Sequence, residues 1–258
     1  MLYWQETLKK ERLKVKEIVI DKNKKVYFNA LVYGPPKSGK SWFCSTMPSP
    51  YIICSDRPPT FLSVSQKIQG VIVETFDEAD AVLREIVLGK RALGCRSIIV
   101  DGLSDMTPLA IDKAMQAKPG RKSLLLTIDE WGLVSSYLRT FVRYFSREVG
   151  RNHHVCMTAR TSLIQDKLTG KVIGVPETVG KFSEDVGGFF DALLFCKEET
   201  VGGKTSWNLH TKTTDIWYGA GDALGGFMQE IEPNNFSIVY EKIREGAIKK
   251  GADPNVYA

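Results

Sequence analysis

Short runs of apolar residues recur along the chain: NALVYG (29–34), YIICSD (51–56), GVIVETF (70–76), SIIVDG (97–102), HVCMTA (154–159) and DALLFC (191–196). Each is apolar through its middle and does not alternate with polar residues, the pattern of strands covered on both faces in a parallel sheet. Helical periodicity fills intervals between them. In TFDEADAVLREIVLG, Thr75 and Glu78 form a capping box, and Ala79, Val82, Leu83, Ile86 and Val87 repeat on one face. TIDEWGLVSSYLRTFVRYFSREVG repeats the design: Thr127 and Glu130 open it, Trp131, Val134, Leu138, Val142, Phe145 and Val149 share a face, and Gly150 closes it. Strand and helix alternate over residues 26–196, which predicts an α/β doubly wound fold, a mostly parallel twisted sheet flanked by helices.

Two stretches break this rhythm. Residues 103–123 and 160–188 are rich in Gly, Pro, Lys and Thr and poor in periodic apolar positions, so both read as long functional loops. Beyond residue 197 the polarity alternates, in KTSWNLHTKT and DIWYG, which predicts a C-terminal β-hairpin or two edge strands, then a short polar helix near 240–250. No internal repeat is visible. The expected organisation is a basic N-terminal segment over 1–25 and one domain over 26–258.

Composition narrows the class. The five cysteines (Cys44, Cys54, Cys95, Cys156 and Cys196) are odd in number and widely spaced, with no C-x-x-C pair, which supports neither a disulfide framework nor a zinc site. No apolar stretch approaches the length of a membrane span, and MLYWQETLKKERLKVK turns basic before an apolar run could serve as a signal, so the expectation is a soluble cytoplasmic protein with no membrane partner. A net charge of +5 is compatible with a polyanion partner and also with ordinary solubility.

The strongest chemical signal is GPPKSGKS, which fits G-x-x-x-x-G-K-[ST]. It follows a predicted strand and precedes a helix-compatible SWFCSTM, the placement a phosphate-binding loop needs. Backbone N–H groups along Gly34, Pro35, Pro36, Lys37, Ser38, Gly39, Lys40 and Ser41 would cradle the phosphates of ATP, apart from the two prolines, which have none to give. Lys40 would reach the β- and γ-phosphates, and the Ser41 hydroxyl would bind Mg²⁺. Such a loop needs a second acidic group at the end of a neighbouring strand, and SIIVD puts Asp101 there as the metal-side carboxylate. Gly102 follows it, where ATPases of the extended AAA class carry a glutamate that polarises water. The water-orienting carboxylate is therefore expected from another strand end, Asp56 closing YIICSD or Glu74 closing GVIVE.

The order of phosphate loop, acidic strand end, strand ending in Asp without a following Glu, and polar-ended strand resembles the RecA-like core of P-loop NTPases. SIIVDGLSDM, the helix beginning DEWG, HVCMTAR, DKLTGKVIGVPETVGKF and FDALLFC resemble more closely phage-encoded ATPases with a RecA-like core that promote single-strand annealing. Members of that group are described as phage nucleotide-binding or AAA-domain proteins. The resemblance spans roughly residues 28–218. It implies an ATPase stimulated by single-stranded DNA, acting as a homo-oligomer in phage recombination in the host cytoplasm, with a single-strand-binding protein as a further partner. Carried onto this chain, Lys40, Asp56 and Asp101 form the catalytic set, and Thr158 or Arg160 stands at the γ-phosphate-sensing position. Lys204 and Lys212 are the cations available to complete a neighbouring subunit's site.

A single-strand binder needs cations that track phosphates. Lys113, Lys118, Arg121 and Lys122 lie in or near the first irregular stretch; Arg160, Lys167, Lys171 and Lys181 lie in the second. Arg139, Arg143 and Arg147 form a stripe on the polar side of the second helix. Lys9, Lys10, Arg12, Lys14 and Lys16 make the N-terminal segment basic. The alternative reading is a nucleotide-dependent loader, motor accessory or switch that acts mainly on a protein.

Overall fold

The structure is a computed structural model that describes residues 25–55, 68–117, 125–165, 170–201, 203–214, 216, 221–222 and 226–257. Six strands run parallel in the order β8 (Ala192–Val201), β1 (Asn29–Tyr33), β5 (His154–Ala159), β4 (Ser97–Asp101), β2 (Pro50–Cys54) and β3 (Gln69–Ile72). Two more extend the β8 edge antiparallel: β9 (Lys204–His210), within KTSWNLHTKT, which forms its hairpin with β8, while DIWYG apart from Ile216 lies outside the described residues, and β11 (Ile231–Pro233). A short β10 (Gly221–Asp222) also pairs with β8. The strand carrying Asp101 does not touch β1, because β5 lies between them.

Alternate residues of the central strands feed two cores, as the two-residue period of a pleated strand requires. Leu31, Tyr33, Ile98, Val100, Val155 and Met157 face helices α2 (Phe76–Val87), α3 (Leu103–Gln116) and α4 (Ile128–Arg147). Ala30, Val32, Ile99 and Cys156 face α1 (Lys40–Ser45) and α6 (Phe236–Lys249). Both capping boxes form: Thr75 and Thr127 accept the N–H of Glu78 and Glu130, whose carboxylates accept the N–H of the capping residues.

Four expectations are corrected. The first irregular stretch opens as α3, a 14-residue helix with Pro108 inside it. Its buried side is built partly from the small residues Ala110 and Ala114 packed under α4, so the apolar periodicity is faint and the proline masks it further. The second stretch is an antiparallel hairpin of β6 (Thr161–Gln165) and β7 (Val172–Pro176), followed by the single turn α5 (Phe182–Asp185). The C-terminal helix is longer than expected and amphipathic, burying Phe236, Val239, Tyr240, Ile243 and Ala247. GVIVE, read as a doubly covered strand, is the exposed edge β3, with Ile72 half in solvent.

Phe141 of α4 is buried against α2, its ring centroid 5.5 Å from that of Phe76 and the two planes inclined by 56°. Phe141→Ala is expected to cost about 3–5 kcal/mol by leaving a cavity, and Thr127→Ala about 1 kcal/mol by removing one helix cap. Denaturant titration followed by circular dichroism measures both, and a larger loss for Thr127→Ala would contradict this assignment of the core.

Candidate functional site

The phosphate loop starts where β1 ends. Gly34 donates its N–H to the Ala159 carbonyl at 3.2 Å, and a Cβ at this position would run into the Cys196 carbonyl of β8. The loop therefore lies on backbone from both flanking strands. Lys37 (φ 65°) and Gly39 (φ 91°) take left-handed conformations that wrap the chain around the side chain of Lys40. Lys40 Nζ donates to the carbonyls of Gly34 (3.0 Å) and Pro35 (2.7 Å). Burial draws the Lys40 pKa below the ordinary lysine value, and the nearby Asp101 carboxylate opposes that shift. Ser38 Oγ is buried without a hydrogen-bond partner. Below the loop Cys196 Sγ donates to the Ser38 carbonyl at 2.8 Å, and burial pushes that thiol up to about 12. Cys196 is thus a small packing group and not a nucleophile.

The loop is also held from far along the chain. Asn234 Nδ2 donates to the Gly39 carbonyl at 2.9 Å, and Phe236 donates its N–H to Thr46 Oγ1 at 2.8 Å, just past α1. Phe236 also packs edge-on against Phe43 of α1 and Phe28 before β1. These contacts pin both ends of the short helix that follows the loop.

Asp101 is the centre of the site. It accepts from Ser41 Oγ at 2.9 Å and from Thr158 Oγ1 at 2.7 Å, and Thr158 in turn accepts the Gly102 N–H at 2.9 Å. Thr158 is only 2% exposed. Its place follows from register: Val100 pairs with Met157 across β4 and β5, so the next residues, Asp101 and Thr158, are neighbours. Gly102 has φ 109°, and a Cβ there would meet the Asp105 carboxylate. A glutamate after Asp101 would be strained on both counts, which gives the physical reason for the glycine.

Arg160 completes the cleft. Its guanidinium pairs with Asp105 at 2.5 Å and Glu177 at 2.6 Å, and these bonds, that to Glu177 foremost, hold its pKa above the ordinary arginine value. The Arg160 N–H donates to Ser104 Oγ, which donates to the Glu177 carbonyl, both at 2.9 Å. Lys40, Asp101, Asp105, Thr158 and Arg160 face a cleft of about 150 Å³. Asp105 and Glu177 were not read as site residues from the sequence; the spacing D-x-x-x-D from Asp101 was the available signal for the first.

Ser41 and Asp101 place a hydroxyl and a carboxylate within hydrogen-bond distance of each other, two oxygen ligands of the kind Mg²⁺ takes together with phosphate and water. With the unpartnered Ser38 hydroxyl and the two left-handed residues of the cradle, these groups fit a magnesium–nucleoside triphosphate. Asp56 lies outside the described residues; the strand before it ends at Cys54, which pairs in register with Asp101. Glu74 is exposed beyond β3, its N–H tied to the Glu78 carboxylate at 2.8 Å, and does not line the cleft.

The proposed DNA cations divide. Lys113 is paired with Asp77 at 2.6 Å and lies over the Phe76 and Tyr137 rings, and Arg139 is paired with Asp185 at 2.7 Å over the Phe182 ring. Arg160 belongs to the cleft. Arg143, Arg147, Lys171, Lys181 and Lys212 are exposed. Lys118, Arg121, Lys122, Lys167, the side chain of Lys204 and the basic N-terminal residues lie outside the described residues. Among the described residues no helix is long and apolar enough to cross a membrane.

A search of curated proteins returns no match. Among solved structures, the flagellar accessory protein FlaH from Methanocaldococcus jannaschii is similar, at 11% identity and a TM-score of 0.39 over 78% of this chain and 82% of that one. A family profile described as AAA domain matches residues 27–219, three quarters of the chain. With the strand order β8-β1-β5-β4-β2 and a phosphate loop leaving β1, the chain belongs to this AAA domain family and is a P-loop ATPase with a RecA-like core.

Proposed function

We propose that the chain binds ATP with Mg²⁺ on Gly34–Ser41, hydrolyses it, and uses the cycle to bind single-stranded DNA and promote its annealing in phage recombination, working as a homo-oligomer. The observation that carries the hydrolytic part is the hydrogen-bonded run Ser41–Asp101–Thr158 beside Lys40. Bound Mg²⁺ would neutralise phosphate charge. Ser41 and Asp101 are placed to hold it, and Thr158 keeps the carboxylate aimed. Lys40 offsets phosphate charge, giving up two backbone carbonyls for stronger charge-assisted bonds. Arg160 presents donors at the γ-phosphate end of the cleft. Asp56 remains the residue assigned to orient the attacking water.

The DNA part rests on connectivity. The β6–β7 hairpin leaves β5 directly at Arg160 and returns at Glu177, so the pair that borders the cleft also clamps the hairpin's base; Glu177 N–H donates to the Arg160 carbonyl at 2.7 Å. Between the two strands the sequence carries Lys167 and Lys171. A shift of Arg160 toward a terminal phosphate pulls on both legs of this hairpin, which supplies a route from nucleotide state to a basic surface. Lys113 and Arg139, already neutralised by carboxylates, contribute less than their sequence positions promised.

The test is steady-state ATP hydrolysis with and without single-stranded DNA. Lys40→Ala is expected to abolish turnover. Thr158→Val removes one hydrogen bond to a charged group and is expected to lower kcat roughly tenfold to a hundredfold. DNA is expected to stimulate the wild type, and the double variant Lys167→Ala/Lys171→Ala to lose that stimulation. Turnover that depends on Lys40 yet ignores DNA would sink the annealing reading and favour a switch or loader that acts on a protein partner.

A further inference from the structure

The phosphate loop borders a second cleft, on the side opposite Asp101. It measures about 380 Å³ and is walled by Lys37, Gly39, Lys40, Ser41, Trp42 and Trp207. Trp42 follows the loop on α1 and Trp207 stands on β9, their ring centroids 6.2 Å apart and their planes inclined by 47°. The two indoles are 39% and 40% exposed, which leaves a broad aromatic surface open beside the phosphate loop. Trp207 is seated on the loop itself: a Cβ at Gly39 would stand 2.7 Å from its Cγ.

Direction follows from the strand order. β4, carrying Asp101, lies two strands to one side of β1, and β9, carrying Trp207, lies two strands to the other. At about 4.8 Å per strand these two edges of the site are separated by roughly 19 Å, with the phosphate loop midway. A triphosphate whose terminal end lies by Asp101 and Arg160 runs its nucleoside end the other way along the loop, to the two tryptophans.

We propose that the nucleobase of the bound nucleotide packs against the exposed faces of Trp42 and Trp207, making this pair the base subsite of the phosphate loop. The inference rests on the nucleotide reading above and deepens it. The inclined rings form a wedge, so the base covers indole faces without being sandwiched between parallel planes. Stacking uses the π face that every base has and does not read base edges. The subsite therefore favours purines over pyrimidines and discriminates weakly between adenine and guanine, and its strength is absent for a ligand that carries phosphates alone.

Calorimetric titration in Mg²⁺ with ATP, GTP, UTP and inorganic tripolyphosphate tests this on the full chain. ATP and GTP are expected to bind within a few-fold of each other, and about tenfold to a hundredfold tighter than tripolyphosphate. Trp207→Ala is expected to bring ATP down toward tripolyphosphate while leaving tripolyphosphate binding in place, Trp42→Ala to act in the same direction, and Trp207→Phe to restore most of the difference. Equal affinity of the wild type for ATP and tripolyphosphate, or a gap that survives both alanine variants, would overturn the subsite. So would a parallel loss of both ligands in Trp207→Ala, because that marks a collapsed loop. If neither ligand binds the wild type, the nucleotide reading itself fails and takes the base subsite with it.

Discussion

The Asp101 carboxylate, gripped by the hydroxyls of Ser41 and Thr158, is the interaction on which the arrangement of the site depends. Each partner comes from a different element: the helix after the phosphate loop, the end of β4 and the end of β5. A carboxylate accepting two hydroxyl bonds in a half-buried position is oriented far more tightly than one at a free strand end. β5 lies between β1 and β4 and opens a gap one strand wide at their carboxyl ends, which the Ser41–Asp101 bond bridges.

The central strands are covered on both faces. The side facing α2, α3 and α4 and the side facing α1 and α6 each bury large apolar residues, so the sheet has no free face to twist away from the site. The cleft sits at the carboxyl ends of these strands, where loops can diverge on either side of the phosphate loop. One side holds the charged groups, Asp105, Arg160 and Glu177; the other holds the two tryptophans. Polar and aromatic chemistry are thereby kept apart by a single loop.

What could be read in the sequence was local. The phosphate loop, the Asp101 strand and both capping boxes announce themselves within eight or so consecutive residues, and the structure brings Lys40, Ser41 and Asp101 together. Helix α3 was hidden because Pro108 interrupts it and Ala110 and Ala114 bury little apolar area. The hairpin at β6 and β7 was hidden because β6 is only partly covered and β7 is buried only at Gly174, Val175 and Pro176, so neither shows a uniform apolar run. Glu177 and the Trp42–Trp207 pair depend on segments far apart in the chain, which local spacing does not signal, whereas Asp105 stands only four residues past Asp101. Lys113 and Arg139 show the converse: a basic residue in sequence is not a free charge once Asp77 and Asp185 have folded beside it.

The bond from Asn234 to the Gly39 carbonyl joins residues 195 positions apart. Gly39 sits in the phosphate loop and Asn234 just before α6, so the cradle is complete only when these distant segments have packed together. Contacts this distant in sequence slow folding, because the loop they close must be ordered before they contribute. The grip on phosphate is thereby tied to the packing of the C-terminal segment, and whatever loosens the start of α6 loosens the cradle with it.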